Sequence, residues 1–510
     1  MMAGITGIDS SINGSKNGSR NGSRNGLPPP SAKTAKPGLI ILAAGEGKRM
    51  QSPLPKVLNE IGGKPIIYHI LNQVMAVLPQ ANIAVVVGHG RDKVEAYVRQ
   101  EERFRDLAIE FVHQPQQLGT GHAVQCAMES SWGLELLKVT AAVMVLPGDF
   151  PLLSSQMIEE LLTPLRRGEA IRLLTCELSE PTGYGRIIRR GKAGAVLRVV
   201  EEKDASPKEK EIREVATSIY LFSSSFLKDG LRKISNRNAQ GEYYLTDLVA
   251  LASKRGGKID VLKWAGSADL RGVNDPWELA QANEILNERT IRSWALRGVR
   301  FLDTHSVHID ITVELSQGVV VHPGAILSGS TRVEEGCVIG AHVVLRDVQV
   351  GKNSHIQVGT VASRSRIGAD AQVGPYAHLR PESEVGAHVK IGNFVELKKT
   401  KIGAGSNVAH LSYLGDAEVG QGVNIGCGFI TCNFDGRVIE GQRKHRTVIE
   451  DGVFMGSDCQ TVAPVTVGRG AFVASGSTIT EDVPADALAI SRTRQVNKLG
   501  YARKLKGEGR

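Results

Sequence analysis

Aromatic residues make up only 5% of this 510-residue chain. Its six cysteines (Cys126, Cys176, Cys337, Cys427, Cys432 and Cys459) are scattered, with no Cys-x-x-Cys pair. That spacing excludes a disulfide-stapled scaffold and a zinc knuckle, and reads as free thiols in a reducing compartment. There is no run of 18 apolar residues, so no transmembrane helix is expected. The first residues lack the apolar block of about 7–15 residues that a secretory signal needs. Ser and Arg there are compatible with a transit peptide, but the helical pattern is weak; the expected location is the cytoplasm.

Basic charge is also scarcer than the total implies. The formal net charge is +9. The first 38 residues hold five basic side chains and one acidic one, and the last 19 hold seven and one. These ends account for +10, leaving the body at −1. A nearly neutral body does not call for nucleic acid or a membrane surface as partner. Residues 1–38 are rich in Gly, Ser and Asn and include Pro28-Pro29-Pro30. They hold too little apolar surface to bury and read as a mobile tail.

What the chain has in abundance is glycine, 57 residues of it. Val-Gly or Ile-Gly pairs recur from 339–340 to 467–468, and Gly318 and Gly324, Gly368 and Gly374, and Gly386 and Gly392 lie six apart. A six-residue period is too short for a helical repeat. It fits a coil with three short strands per turn, the aliphatic residue inward and Gly at the corner. Each turn buries its apolar residue only against the next, so many turns are needed. The expected fold is a parallel β-helix rather than a sandwich with Gly-rich turns.

Before the coil the pattern is α/β. Short aliphatic runs at Leu39–Leu42, Ile83–Val87, Ile109–Val112 and Ala141–Leu146 alternate with helical spacing at Pro65–Val77 and Gly121–Met128. This predicts a mainly parallel, Rossmann-like sheet that binds ligands at the carboxyl ends of its strands. Asp275-Pro276 with Glu278 marks a helix start with a capping box, and Gly298 a stop. The predicted order is a tail (1–38), an α/β sheet domain (39–273), a linker helix (274–298), the coil (299–491) and a basic C-terminal tail (492–510).

The first strand runs into Leu42-Ala43-Ala44-Gly45-Glu46-Gly47-Lys48-Arg49-Met50-Gln51-Ser52-Pro53-Leu54-Pro55-Lys56. Its glycines let backbone N–H groups approach a polyphosphate, and Arg49 and Lys56 bring positive charge to phosphate oxygens. It is neither a Walker A loop nor GxGxxG. Asp149, just past an apolar strand, is a candidate ligand for Mg²⁺.

The loop resembles the signature of sugar-nucleotide pyrophosphorylases, L-x-x-G-x-G-T-x-M-x-S-x-x-P-K, with Lys48 in place of Thr. The resemblance continues through Gln114–His122, Leu146–Asp149, Pro181–Arg186, Val200–Asp204, Asn238–Asp247 and Gly272–Asn274. With the coil behind it, residues 39–492 resemble the bacterial bifunctional N-acetylglucosamine-1-phosphate uridyltransferase/glucosamine-1-phosphate acetyltransferases. The resemblance implies that the coil is a left-handed parallel β-helix of hexapeptide repeats and that the protein is a homotrimer. It implies Mg²⁺ on Asp149 and Asn274. UTP is placed at Leu42, Ala43, Ala44, Gly45, Gln114, Gly119 and Thr120, with Arg49 and Lys56 on its phosphates. The sugar is placed at Gly185, Glu201 and Ala216, where the family has Asn at the last position.

Within the coil, Arg380, Glu396, Lys398 and Lys399 precede His410 and Tyr413. A neutral imidazole suits removal of a proton from an amine near pH 7, and a carboxylate such as Glu396 would orient it. The resemblance makes His410 the base and puts Arg380, Lys398, Tyr413 and Asn424 around glucosamine 1-phosphate. Acetyl-CoA is implied at Cys427, Asn433, Phe434, Lys444, Ser457, Ser475 and Arg492. The family has Ala at 427 and 475, Tyr at 434, and a 437–443 segment about five residues shorter. Two competing readings remain: a single-activity nucleotidyltransferase on a structural trimerising coil, and a trimeric scaffold without activity, for which Ala216 is the best support. Asp149, Lys56, Asn274 and His410 argue against the second, and His410 with Arg380 and Lys398 against the first.

Overall fold

The computed structural model describes residues 36–191, 194–436, 438, 441 and 443–507. Residues 1–35 of the tail expected at 1–38 and most of the 437–443 insertion lie outside the described residues; Gly38, expected in the tail, instead begins the first strand.

The first aliphatic run becomes the centre of a nine-stranded sheet. Strand β1 (Gly38–Ala43) has β4 (Asn82–Val87) and β6 (Ala142–Pro147) on its two sides, both parallel. β5 (Ala108–His113) follows β4. On the other side lie β10 (Glu214–Ser223), antiparallel to β6, then β7 (Glu169–Glu177) and β11 (Lys258–Trp264). β8 (Gly185–Arg189) and β9 (Val196–Val200) extend β10 as a small antiparallel wing. β2 (Glu60–Ile61) and β3 (Lys64–Pro65) form a separate hairpin.

Alternation along β1 explains why its run is continuously apolar. Leu39 and Ile41 join the core on one face and Ile40 the core on the other. A central strand covered on both faces has no polar side. The covers include α1 (Ile66–Val77), whose Ile66, Ile67, Ile70, Leu71 and Val74 are buried, and α3 (Thr120–Glu129).

The linker helix, Pro276–Leu296, is 21 residues long, which spans ~31 Å. Asp275 caps it, its Oδ1 accepting from Glu278 N at 2.9 Å. The reciprocal half of the expected capping box shifts by one residue: the Glu278 carboxylate accepts from Asn274 N at 2.6 Å, not from the cap itself. Gly298 ends the helix at φ +94°. Ala282 belongs to the sheet core, whereas Ile291 and Trp294 close the first turn of the coil. The β2–β3 hairpin docks at the junction: Gly62 N donates to Asn283 Oδ1 at 2.8 Å, and its carbonyl accepts from Ile311 N at 3.0 Å.

The coil is parallel and three-sided, each turn 17 or 18 residues after the last over most of its length. Val320 pairs with Val338, Val338 with His355 and His355 with Gln372. Inward aliphatics such as Ile339, Ile356, Val373, Ile391, Val408 and Ile425 form one continuous core. One turn is longer: Asn424 pairs with Phe454, thirty residues on. The surplus carries the 433–446 loop outside the ladder.

Most of the repeat glycines serve close stacking rather than an unusual φ. A Cβ on Gly392 would stand 1.8 Å from Ala409 O, and one on Gly368 2.6 Å from Ala387 N. The left-handed conformation is shared between glycines, Gly318, Gly324 and Gly374 among them, and residues such as Asp347, Asn353 and His388. Turns stack at about 4.8 Å, which leaves no room for a side chain at those points.

Candidate functional site

All fourteen residues expected in the nucleotide half line one cleft of about 510 Å³ at the carboxyl ends of β1, β5 and β6. Leu42, Ala43, Ala44 and Gly45 form one wall, with Gln114, Gly119 and Thr120 beside them. Gln114 is buried and its amide donates to Gly119 O at 3.1 Å, so the two are already set against each other. Gln117, which sequence reasoning did not single out, donates to Ala44 O at 2.7 Å and ties the two walls together.

Arg49, Lys56, Asp149 and Asn274 line the phosphate end. The Lys56 ammonium is paired with the Asp149 carboxylate and donates to Asn274 Oδ1 at 2.8 Å. Gly47 permits this placement: it sits at φ +65°, and a Cβ there would meet the Lys56 Cβ at 2.7 Å. The two oxygens thus converge on one cationic position, from elements 125 residues apart in the chain. Among the described residues no group of three or more His, Cys, Asp and Glu forms a metal cage.

Gly185, Glu201 and Ala216 stand together at the other end, on β8, at the end of β9 and on β10. Burial pushes the Glu201 carboxyl above the usual carboxylate range, with Asp247 and Asp204 adding to the effect. Thr246 Oγ1 donates to Glu201 Oε1 at 2.7 Å, a contact the sequence did not announce.

The coil residues are arranged differently. Asn393 and His410 are in register, and Val408 and Ile425 carry that register one turn further to Cys427. Asp458 N then donates to Cys427 O and Gly476 N to Ser457 O. Asn393, His410, Cys427, Ser457 and Ser475 therefore form a column down one corner, one residue per turn. Arg492 closes it, donating to Ser475 O at 2.7 Å. His410 is exposed. Beside the corner, Glu396 and Tyr413 are register partners, with Arg380 and Lys398 on the same strands' faces.

The expected Glu396–His410 contact is absent. Glu396 Oε1 accepts from Arg380 Nη1 at 2.8 Å, and His410 Nδ1–H donates instead to Asn393 Oδ1 at 2.9 Å. Glu396 lies on a flat side and His410 at the corner, so the arginine above it takes the carboxylate. Asn393, missed in the sequence, stands one turn before His410. The amide fixes the tautomer and leaves Nε2 with its lone pair.

Asn433, Phe434 and Lys444 sit in the long turn's loop. The Lys444 ammonium lies 4.7 Å from the Phe434 ring centre. Asn433 is buried, and its amide and the Tyr413 hydroxyl both pass where a side chain on Gly415 would be. Burial raises the Tyr413 hydroxyl above its ordinary range. Asn424 faces outward two strands away, in register with Asn407 and Phe454.

Residues 39–210 match the family described as MobA-like NTP transferase domain. Residues 364–399 match bacterial transferase hexapeptide repeats, and 330–362 and 446–481 the hexapeptide repeat of succinyl-transferase. The bifunctional protein GlmU of Pelobacter propionicus is 45% identical over 92% of this chain and 98% of its own length. That of Trichlorobacter lovleyi is 44% identical over 92% and 99%, and that of Sorangium cellulosum 45% over 92% and 96%. A chain this similar along both halves belongs to the family of bifunctional GlmU proteins.

Proposed function

We propose that the chain makes UDP-N-acetylglucosamine in two steps. The coil (299–491) transfers acetyl from acetyl-CoA to glucosamine 1-phosphate. The sheet domain (39–273) then transfers uridylyl from UTP to the product, releasing pyrophosphate. The observation that carries this reading is the pairing of two unlike sites in one chain: a cleft where Lys56, Asp149 and Asn274 converge, and a corner column headed by an exposed His410 whose Nδ1 is held.

In uridylyl transfer a phosphate oxygen of the sugar attacks the α-phosphorus of UTP, and the bond to the β-phosphate breaks. Such a step needs alignment and charge neutralisation. Arg49 and Lys56 supply positive charge. Asp149 and Asn274 already focus two hard oxygens on a cation, which suits Mg²⁺. When bound, the metal adds charge neutralisation at the phosphates. Gly185, Glu201 and Ala216 hold the sugar.

In acetyl transfer the amine attacks the thioester carbonyl, His410 Nε2 takes the amine proton, and the CoA thiolate leaves. Arg380, Lys398, Tyr413 and Asn424 hold the sugar phosphate. The pantetheine arm follows Cys427, Ser457 and Ser475 toward Arg492, with Asn433, Phe434 and Lys444 on the flank.

The acetyl site is completed by further copies in a homotrimer. Between its two groups of residues runs an apolar ridge of Tyr376, Phe394 and Leu411, each more than half exposed. Tyr376 and Phe394 stack at 5.9 Å. Such a ridge along a solvent-facing edge fits a protein interface. Among the described residues no helix is long and apolar enough to cross a membrane; we place the enzyme in the cytoplasm.

The direct test supplies glucosamine 1-phosphate, acetyl-CoA, UTP and Mg²⁺ and follows both products. The reading requires N-acetylglucosamine 1-phosphate to form first and UDP-N-acetylglucosamine after it. A protein that makes neither, or only the nucleotide sugar from N-acetylated substrate, sinks it.

A further inference from the structure

Behind the sugar end of the cleft lies an ion pair of a buried arginine and a partly exposed glutamate, with no part in the chemistry above. Ala216 pairs with Gly185, Val215 with Arg186, and Arg186 with Val200. Side chains alternate across a sheet. Gly185, Glu201 and Ala216 face the cleft, whereas Arg186 and Glu202 are not among its lining. Each member of the pair is thus the next residue after a proposed sugar contact.

Arg186 is 2% exposed. Its Nη2 lies 2.7 Å from Glu202 Oε2, and its Nη1 donates to the Tyr184 carbonyl. Its Nε is buried with no hydrogen-bond partner. The same Glu202 oxygen accepts from Gly183 N at 3.2 Å. Both groups therefore grip one turn, 182–185, which forms a wall of the cleft. Gly183 sits at φ +89°, and among the described residues nothing lies within 4 Å of where its Cβ would be. Tyr184 anchors it further on, its hydroxyl accepting from Gly272 N at 3.4 Å.

Apolar side chains would fill this place without desolvating two charges and stranding a donor. What the ion pair adds is a fixed backbone position for the turn. We propose that the Arg186–Glu202 pair is a positioning element that sets the 182–185 wall against the sugar of the sugar 1-phosphate. This rests on the reading that Gly185 and Glu201 contact that sugar.

The test is steady-state kinetics of uridylyl transfer with purified full-length variants. Glu202, a quarter exposed, is the safer position. Glu202→Ala frees Gly183 and Arg186 together and should raise KM for N-acetylglucosamine 1-phosphate about tenfold. The KM for UTP, kcat and the acetyl-transfer rate should stay within about twofold. Glu202→Gln keeps an acceptor for Gly183 N and should recover most of the loss. Arg186→Met should match Glu202→Ala; if it does not fold, the Glu202 variants decide alone. An unchanged sugar KM in Glu202→Ala overturns the proposal. So does a parallel rise of both KM values with a fall in kcat, which is what general loosening of the domain would give. Glu201→Ala separates the two layers. If it raises the sugar KM where Glu202→Ala does not, the positioning role falls and the sugar placement stands. If neither moves that KM, the sugar placement itself falls.

Discussion

The two halves of this chain build their sites by opposite means. In the sheet domain, residues from 42 to 274 converge where the parallel strands β1, β5 and β6 end beside the antiparallel wing of β8, β9 and β10, and the product is a walled cleft. In the coil, nothing converges. Each turn repeats the last, so the candidate residues stack in columns on an outer surface, one per turn. A sheet concentrates distant residues at a point, whereas a coil spreads near ones along a line. The cleft is walled by its own chain, whereas the column lies open on the outer surface.

The largest expected effect tests whether the halves are independent. Asp149→Ala should cut uridylyl transfer by about 10²–10³ and leave acetyl transfer intact. His410→Ala should cut acetyl transfer by about 10²–10⁴ and spare the other. Separate assays on each folded variant decide this, and one substitution that abolishes both activities breaks the contrast.

Next in size is the coil's intolerance of side chains at its stacking points. Gly392→Ala puts a Cβ 1.8 Å from Ala409 O. Loss of stability should be about 3 kcal/mol, read from chemical denaturation, because strain at a stacked backbone cannot relax locally. The acetyl activity should melt before the uridylyl activity on heating.

Smaller again is the effect of the His410 holder. Asn393→Ala should lower acetyl-transfer kcat about tenfold by freeing the imidazole, with KM for acetyl-CoA little changed. Glu396→Ala should act mainly on KM for glucosamine 1-phosphate through Arg380. The reverse pattern would restore Glu396 as the orienting group.

In the cleft, Glu201 sets function against stability. Burial raises its carboxyl pKa above the ordinary 4.5. The native state then holds that proton more tightly than the unfolded chain, and the stability so gained is present below the unfolded value and lost as pH rises through the folded one. The buried carboxylate therefore costs more as pH rises, so Glu201→Gln should raise the melting temperature more at about pH 7.5 than at about pH 4. Thermal melts at the two pH values check the sign. The smallest effect belongs to Ala216→Asn, which supplies a hydrogen bond worth about 0.5–1.5 kcal/mol. It should lower KM for N-acetylglucosamine 1-phosphate by about 2–12-fold with kcat little changed. A fall in kcat/KM would mean that the cleft has been rebuilt around the smaller side chain.

Much of this was legible in the sequence because both architectures leave a local mark. The apolar-Gly period specified the coil, and the continuous runs at 39–42 and 83–87 specified central strands. The loop from Leu42 to Lys56 announced the cleft. What failed did so where three-dimensional neighbours differ from sequence neighbours. Glu396 looked like the partner of His410 because it is an acid shortly before it. The coil's own arithmetic pointed elsewhere: one turn back from 410 is 393, and Asn393 holds the ring. Glu278 reached past the cap to Asn274 because the chain bends into the cleft at that point. Arg186 and Glu202 fall inside the family-like stretches 181–186 and 200–204, but nothing in either stretch shows that the two charges meet across the strands.

The thirty-residue turn between Asn424 and Phe454 bears on how such a protein can change over generations. Parallel pairing resumes beyond it in the same alignment, so the loop hangs from the ladder as a side branch. Length can be added or removed there without altering the rise of any later turn. The residues proposed to flank the cofactor are therefore free to drift while the column bearing His410 keeps its spacing. Under the proposed acetyl-transfer reading, the flank of the acyl-donor site and the spacing of the scaffold lie on separate stretches of chain.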